Sequence, residues 1–374
     1  MAFLMNAWYV AAFSDEIKVG KVLARTLVGL PVVLYRDDAR KIVALDDRCP
    51  HRFAPLSRGR VVDGAIECPY HGLRFGSSGA CVMNPHGNGR LPEGATVRCY
   101  PTRERYGAIW FWPGEASRAE STPLPDFEFV DPRRNFTSTG YLLTRANYQL
   151  SSDNVLDLSH LQFLHPNTLG SEHIAAAQVE CLVDGDCVSV TRRIAEEALA
   201  PFVARAFKVA DGALVNRQLD VRWQPPALHT VSMRICETTL SDEFARVSHS
   251  AHWLTPETER STHYFYVFGV PHQAGLEGAA ELRDGVEALM TPFRDEDLPM
   301  LEAQQQVIGD RDFWSLRPVM LPIDAGAVRA RRILERLIAA EAQTQIADAA
   351  RGEPVSRKER VAGALGEDAG RLVT

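Results

Sequence analysis

Two short arms, Cys49-Pro-His51 and Cys68-Pro-Tyr-His71, stand sixteen residues apart, and each offers one thiolate and one imidazole. This feature constrains the chain more than any other. A centre of two irons and two sulfides, with two Cys on one iron and two His on the other, is served by that mixed pairing. Zinc also accepts two Cys and two His, but its modules usually place both thiolates on one arm and both imidazoles on the other. Four ligands in two mixed pairs therefore favour the two-iron cluster, held by Cys49, His51, Cys68 and His71. Read as ordinary core histidines, His51 and His71 would leave the adjacent cysteines unexplained.

At 374 residues the chain has room for two domains and a sizeable core. Its 45% hydrophobic and 24% charged content is that of a soluble globular protein. A net charge of −7 argues against a phosphate-binding surface, and no nucleic acid is expected as a partner. Arg329, Arg331 and Arg332 read as one solvated helix face. The longest apolar runs, such as Tyr264 to Val270, fall short of the ~20 residues that cross a bilayer. Met1 to Tyr9 carries no basic segment of the kind that opens a signal peptide. Of seven cysteines, two belong to the arms. The others, Cys81, Cys99, Cys181, Cys187 and Cys236, suit thiols in a reducing compartment, so a cytoplasmic protein is expected.

From Trp8 to about Pro113 the pattern is of short strands, including Pro31 to Tyr35 and Lys41 to Leu45 around a hairpin turn, and Gly107 to Trp112. The arms then sit at hairpin tips of a small all-β domain spanning 1–130. His86, in the turn-rich stretch Asn84 to Gly89, reads as a loop residue. A Pro-rich, acidic connection covers about 114–134. Beyond it, 131–346 mixes a helical segment around Asn147 to His165, strands at Cys187–Arg193, Leu219–Trp223, His229–Glu237, Val247–Leu254 and His263–Gly269, and then helices. Residues 347–374 read as a loosely held tail.

A cluster of this kind passes single electrons, so the larger part of the chain should house what consumes them. Asn154, Asp157, His160 and His165 form the candidate. Two imidazoles and a distant carboxylate make the facial triad of non-heme Fe(II) oxygenases. Residues five apart on a regular helix diverge by about 140°, so His160 and His165 can share a metal only if the helix ends or bulges between them. Pro166 favours an ending there. A metal-bound imidazole gives its other N–H to a carboxylate or carbonyl, a role open to Asp157. The third ligand must come from elsewhere. Asp295, Glu296 and Asp297 all qualify, although acids ahead of Pro299 are also what a helix N-terminus prefers.

With these motifs the chain resembles the oxygenase component of Rieske non-heme iron oxygenases. The resemblance runs through Asn6 to Ala11, Cys49 to Ser57, Cys68 to Leu73, Asn154 to His165 and Leu254 to Glu259, and covers roughly residues 3 to 342. The nearest branch holds vanillate O-demethylase, dicamba O-demethylase and toluenesulfonate methyl-monooxygenase. It implies an α+β architecture: an all-β Rieske domain joined to a helix-grip, START-like catalytic domain, assembled head to tail as a homotrimer. It implies a 2Fe-2S cluster on Cys49, His51, Cys68 and His71, and a mononuclear Fe(II) on His160, His165 and Asp297. Asp297 is singled out by the family's Glu-Asp-x-x-x-x-Glu pattern, matched by Glu296, Asp297 and Glu302. Asp157 would bridge a cluster histidine of one subunit to His160 of the next, with Asn154 beside it. His252 would donate to a substrate anion, and Val231 stands where a relative has an amide donor. Apolar pocket residues are expected near Leu156, Phe202, Phe207 and Trp253.

The resemblance implies that O2 is the co-substrate and that electrons come from a separate iron–sulfur flavin reductase, with or without a ferredoxin. This chain has no Gly-rich dinucleotide fingerprint after a strand, so NAD(P)H and flavin belong on that partner. The expected reaction is hydroxylation of a methyl group on an aromatic acid, foremost O-demethylation of a vanillate-like methoxybenzoate. Hydroxylation of the methyl group of an aromatic sulfonate or carboxylate, ring cis-dihydroxylation, and a pure electron-transfer module are the alternatives.

Overall fold

The computed structural model describes residues 3–350 apart from 211. Its first part comprises β1 (Tyr9–Phe13), β2 (Val22–Leu27), β3 (Leu30–Arg36), β4 (Ile42–Asp46), β5 (Arg60–Val62), β6 (Ala65–Glu67), β7 (Arg74–Phe75), β8 (Cys81–Met83), β9 (Cys99–Tyr100), β10 (Thr102–Arg105) and β11 (Ala108–Phe111). These strands pair into three antiparallel sheets, ordered β1-β11-β10, β2-β3-β4-β9 and β5-β6-β7-β8. The hairpin expected after Tyr35 closes with Asp37 N–H donating to the Lys41 carbonyl, and Arg40 takes up the left-handed conformation of the turn at φ 61°. One cysteine arm follows β4 and the other joins β6 to β7.

The connection is ordered around a short helix, α1 (Ala116–Ser121), and Phe127 and Val130 bury their side chains. Then comes one seven-stranded antiparallel sheet. Its strands are β12 (Asn135–Thr144), β13 (Gln178–Asp184), β14 (Cys187–Ala198), β15 (Leu214–Gln224), β16 (Leu228–Glu237), β17 (Arg246–Thr258) and β18 (Ser261–Pro271), in the order β12-β18-β17-β16-β15-β14-β13. Helices α2 (Tyr148–Leu156), α3 (Leu161–Leu164), α4 (Pro201–Ala206), α5 (Gly275–Pro292), α6 (Leu298–Ile308) and α7 (Ala325–Ala350) complete the chain, with a π-helical turn, Phe293–Asp297, joining α5 to α6. The expected all-β domain followed by an α+β domain is what forms.

Side-chain alternation explains the layering. One face of the sheet presents Val188, Val190, Val221, Trp223, Leu254 and Tyr264 to Tyr148, Val155 and Leu156 of α2 and to Ala330 and Leu334 of α7. A Cβ on Gly326 would lie 2.4 Å from Val190 Cγ2, so α7 approaches the sheet to backbone distance there. The other face presents Ala251, Trp253, Phe265 and Val267 to Val10, Trp110 and Phe127 of the N-terminal region. Strand β17 is covered on both sides, and Ser250 to Pro256 are buried without a break.

Four readings change. Arg331 does not share a solvated face with Arg329 and Arg332. It is 5% exposed and forks onto Asp153 of α2, because α7 lies on the sheet along that side. Trp253 cannot line a pocket with its neighbour His252, since successive strand residues point to opposite faces, and it packs on Trp110 with ring centroids 5.4 Å apart. Strands β12 and β13 went unread in the sequence. The helical segment from Asn147 to His165 is interrupted at Asp157, whose φ of −109° and ψ of 100° end α2. Of the 347–374 tail, 347–350 belong to α7, and the rest lies outside the described residues.

Candidate metal centres

The two cysteine arms are copies of one turn. Cys49 N–H donates to the Ala54 carbonyl at 2.9 Å and Cys68 N–H to the Leu73 carbonyl at 2.8 Å. Phe53 N–H and Gly72 N–H donate back to the Cys49 and Cys68 carbonyls. The fifth residue of each turn is left-handed, Phe53 at φ 58° and Gly72 at φ 69°. Only glycine takes that region without cost, so Phe53 carries about 1 kcal/mol of strain to close its turn. Both Cys side chains are buried, and burial pushes the Cys49 thiol up to about 11, with Cys68 beside it adding to the rise. The rings of His51 and His71 meet edge to face at 4.6 Å on the outer side. Two buried sulfurs behind two accessible imidazoles suit a two-iron cluster with one all-thiolate iron and one all-imidazole iron. His86 is a loop residue whose Nε2 lies 2.8 Å from the His71 carbonyl.

The second centre is assembled from α2, the chain after it, and the π-helical turn. The break at Asp157 starts a 3-10 turn, Leu158–His160, and α3 ends at His165, so the two imidazoles converge with ring centroids 5.3 Å apart. Asp297 reaches them from the far helix. Its Oδ1 is 3.4 Å from His160 Nε2 and its Oδ2 is 3.1 Å from His165 Nε2. Asp297 stands at the N-cap of α6 yet makes no cap hydrogen bond. His165 Nε2 and Asp297 Oδ2 are buried without a hydrogen-bond partner, an arrangement that costs free energy unless a cation lies between them. Burial opposes charge on Asp297, but the imidazoles of His160 and His165 beside it hold its carboxyl down at about 2. Against the same burial, Asp297 and Glu296 raise His165. Two nitrogens and one carboxylate, with donor atoms within 4.8 Å of one another, fit a ferrous ion with open coordination positions.

Neighbouring residues orient these groups. His165 Nδ1 is hydrogen-bonded to the Glu296 carboxylate, which also accepts from Thr168 Oγ1 at 3.0 Å. Sequence reasoning held Glu296 only as a possible third ligand, whereas the π-helical turn sends Asp297 to the metal side of His165 and Glu296 to its other nitrogen. Asn154 Nδ2 donates to Asp297 Oδ1 at 2.8 Å. His160 Nδ1 is 2.6 Å from the main-chain carbonyl of Asp157, not from its carboxylate. The carboxylate caps the 3-10 turn, accepting from Ser159 N–H and Oγ, and pairs with Arg192 at 3.3 Å. Arg192 is a sheet residue that pattern reading could not place inside, because charge predicts exposure.

His252 lies on β17, facing the helices. Its Nδ1 meets Tyr264 Oη at 2.9 Å, its Nε2 meets Ser250 Oγ at 2.8 Å, and it stacks on Phe293 at 5.9 Å, one turn before Asp297. Burial pushes its pKa down to about 3, so it stands there as a neutral ring.

Comparisons with known proteins agree with this geometry. Residues 144–340 match the vanillate O-demethylase oxygenase C-terminal domain, and residues 7–101 match the Rieske 2Fe-2S domain. The oxygenase component of dicamba O-demethylase from Stenotrophomonas maltophilia is 36% identical over 349 residues, covering 91% of this chain and 100% of that one. The oxygenase component of chloroacetanilide N-alkylformylase from Rhizorhabdus wittichii is 35% identical, covering 92% and 98%. A vanillate O-demethylase oxygenase subunit from a Pseudomonas species is 33% identical, covering 93% and 98%. The crystal structure of dicamba monooxygenase bound to dicamba superposes with a TM-score of 0.80 at 35% identity, covering 92% of this chain and 100% of that one. The chain belongs to the vanillate O-demethylase branch of the Rieske oxygenases. It is the oxygenase component of a monooxygenase system, carries a Rieske 2Fe-2S cluster and a mononuclear iron, and works with a reductase partner. No helix among the described residues is long and apolar enough to cross a membrane.

Proposed function

We propose that the chain hydroxylates a methyl group of an aromatic acid, foremost the O-methyl of a vanillate-like methoxybenzoate. One oxygen atom of O2 enters the C–H bond and the other leaves as water, at the cost of two electrons and two protons. The resulting hemiacetal collapses to a phenol and formaldehyde. Held by the chain's ligand residues, the cluster would supply electrons singly and the ferrous ion would activate dioxygen. The chain's residues do the rest. His160, His165 and Asp297 would hold the ferrous ion with positions left open, Asn154 and Glu296 fix these three, and His252 turns its one N–H from Ser250 or Tyr264 to the substrate's anionic group. The observation that carries the reading is the pair of orphaned buried atoms, His165 Nε2 and Asp297 Oδ2, in a chain that also brings Cys49, His51, Cys68 and His71 together.

The working assembly in this reading is a head-to-tail homotrimer. Asp157 and His160 line a cavity of about 320 Å³ open to the outside, together with Met300, Val319 and Met320. Val319 is 86% exposed. Phe53 and Tyr70, exposed beside the cluster histidines, supply a matching apolar rim for the next copy. Asp157 then faces the cluster His71 of that copy and links the two centres. Electrons enter from an iron–sulfur flavin reductase using NAD(P)H. Cysteines that are all unpaired suit the cytoplasm.

The test is incubation of the protein and a surrogate reductase with methoxybenzoates, methylbenzoates, aromatic sulfonates and anilides. Formaldehyde formed one for one with O2 consumed, from a methoxybenzoate, is the expected result. Hydroxymethyl products from sulfonates alone, or a cis-diol, would replace the reading. A toluene-4-sulfonate monooxygenase subunit from Comamonas testosteroni, 33% identical, makes the sulfonate the second substrate class to try.

A further inference from the structure

Behind the iron site, among Leu161, Leu169, Ile174, Val203, Phe207 and Ile235, lies a charge pair with almost no access to water. The side chains of Glu197 and Arg217 are 0% and 1% exposed. Glu197 should not point inward at all. Ile194, three residues earlier, already faces the core, and strand alternation would send Glu197 to the opposite side. A bulge between Ile194 and Glu197 reverses the alternation, with Glu196 forced to φ 49° and its amide caught by Asn216 Oδ1 at 3.2 Å. The chain accepts a strained residue in order to bury a carboxylate.

What the pair holds is the segment leaving His165. Glu197 accepts from Ser171 Oγ, and Arg217 Nη1 donates to the Leu169 carbonyl at 3.3 Å. Between these two residues sits Gly170, whose amide donates to the His165 carbonyl at 2.9 Å. A Cβ on Gly170 would fall 2.1 Å from the Leu161 carbonyl oxygen, so the turn lies directly on the helix that ends at the ligand. A buried ion pair is a poor source of stability, since apolar residues of the same volume commonly match or exceed it. Glu197 Oε2 and Arg217 Nε are moreover without partners. Directionality is what apolar packing could not supply here.

We propose that the buried Glu197–Arg217 pair is a positioning device for the iron ligand His165, acting through Ser171, the Leu169 carbonyl and the turn at Gly170. The proposal rests on the reading of His160, His165 and Asp297 as the iron site. It separates two properties that a purely structural pair would lose together.

The test uses full-length protein with its cluster in place and the mononuclear iron removed, titrated anaerobically with Fe(II) by equilibrium dialysis. The double variant Glu197→Leu/Arg217→Met should keep the cluster absorption and an unfolding midpoint at or above that of the unmodified protein. Its Fe(II) affinity should fall by at least about tenfold, the usual effect of losing a group that orients a ligand. Any smaller loss of affinity overturns the proposal. Should the double variant not fold, Ser171→Ala removes only the hydroxyl that Glu197 holds. A loss of about threefold or more there supports the clamp, and anything less overturns it. Failure of the unmodified protein to take up one Fe(II) would instead remove the iron-site reading itself, and the clamp with it.

Discussion

Asp157 divides its work: its carbonyl oxygen faces His160, while its carboxylate is engaged by Ser159 and Arg192. Asp157→Asn leaves the carbonyl in place, so both metal contents should stay at the level of the unmodified protein while turnover falls by about 100-fold. Undiminished formaldehyde production in that variant would refute the proposed link through Asp157. Glu296 acts on the other ring nitrogen, His165 Nδ1. Glu296→Gln weakens that acceptor and should reduce iron affinity by roughly 10-fold or more, measured by anaerobic metal titration. An unchanged titration curve would show that Thr168 and the backbone suffice to orient the ring. His252 is neutral and both its ring nitrogens are engaged, by Ser250 and Tyr264, so in the proposed reading its one N–H exchanges such a partner for the substrate's anion. Its loss in His252→Ala should raise the Michaelis constant for acidic substrates by about 10- to 100-fold, equivalent to ~1.5–3 kcal/mol, and much less for neutral ones. Equal effects on the two classes would count against an anion site there.

At the scale of elements, the iron site depends on where α2 stops and how firmly it is held. Helix α7 fastens it through Arg331, whose Nη2 is 2.6 Å from Asp153 Oδ2 and whose Nη1 donates to Gln149 Oε1 at 2.7 Å. Asp153 immediately precedes Asn154, the residue that touches Asp297. The Arg331 side chain is 6% exposed and Asp153 is 26% exposed, so Arg331→Met strands a mostly buried carboxylate and should cost about 2 kcal/mol in denaturant unfolding. Iron occupancy should fall in the same variant. A midpoint equal to that of the unmodified protein would mean that α2 is anchored by its apolar face alone.

Over the described residues the large sheet is covered on both faces, by helices on one and by the N-terminal region on the other, and N-terminal residues such as Leu4, Tyr9 and Phe111 also join the helix-side core. Thr255 Oγ1 donates to the Val10 carbonyl at 2.7 Å across that second contact, and Trp253 packs on both Trp110 and Phe127. Enclosure on two sides has a consequence for acid stability. His229 and His252, paired across β16 and β17, are 0% and 2% exposed, and burial pushes both down to about 3. Their unfolded value is near 6.5, so between about 6.5 and about 3 the unfolded chain binds the more protons, and stability falls as pH falls. Each histidine should remove about 2 kcal/mol on going from pH 7 to pH 5. Comparing urea unfolding of the unmodified protein and His229→Phe at the two pH values checks this. Identical losses in both would show that His229 is not buried neutral.

The cluster arms were legible in the sequence because each is a closed turn of six residues, and local hydrogen bonds decide where its Cys and His point. The convergence of His160 and His165 was legible on the condition that the helix ends or bulges between them, and α3 does end at Leu164 with His165 as its C-cap. The break came at Asp157 rather than only at Pro166, since capping by the Asp157 carboxylate ends α2 earlier than the proline demands. Spacing could not choose among Asp295, Glu296 and Asp297, which differ by one step along a helix whose π-helical turn alters the angle between successive residues. Only the packing of that turn against His165 set Asp297 beside Nε2 of both imidazoles and Glu296 at the other nitrogen of His165. Nor could pattern reading foresee the inward charges, Arg192, Glu197, Arg217 and Arg331, because charge predicts exposure until a partner far along the chain is folded against it. Local chemistry written in short spacings named the cofactors. The orientation of their surroundings is a long-range property, decided where distant segments bury polar groups against one another.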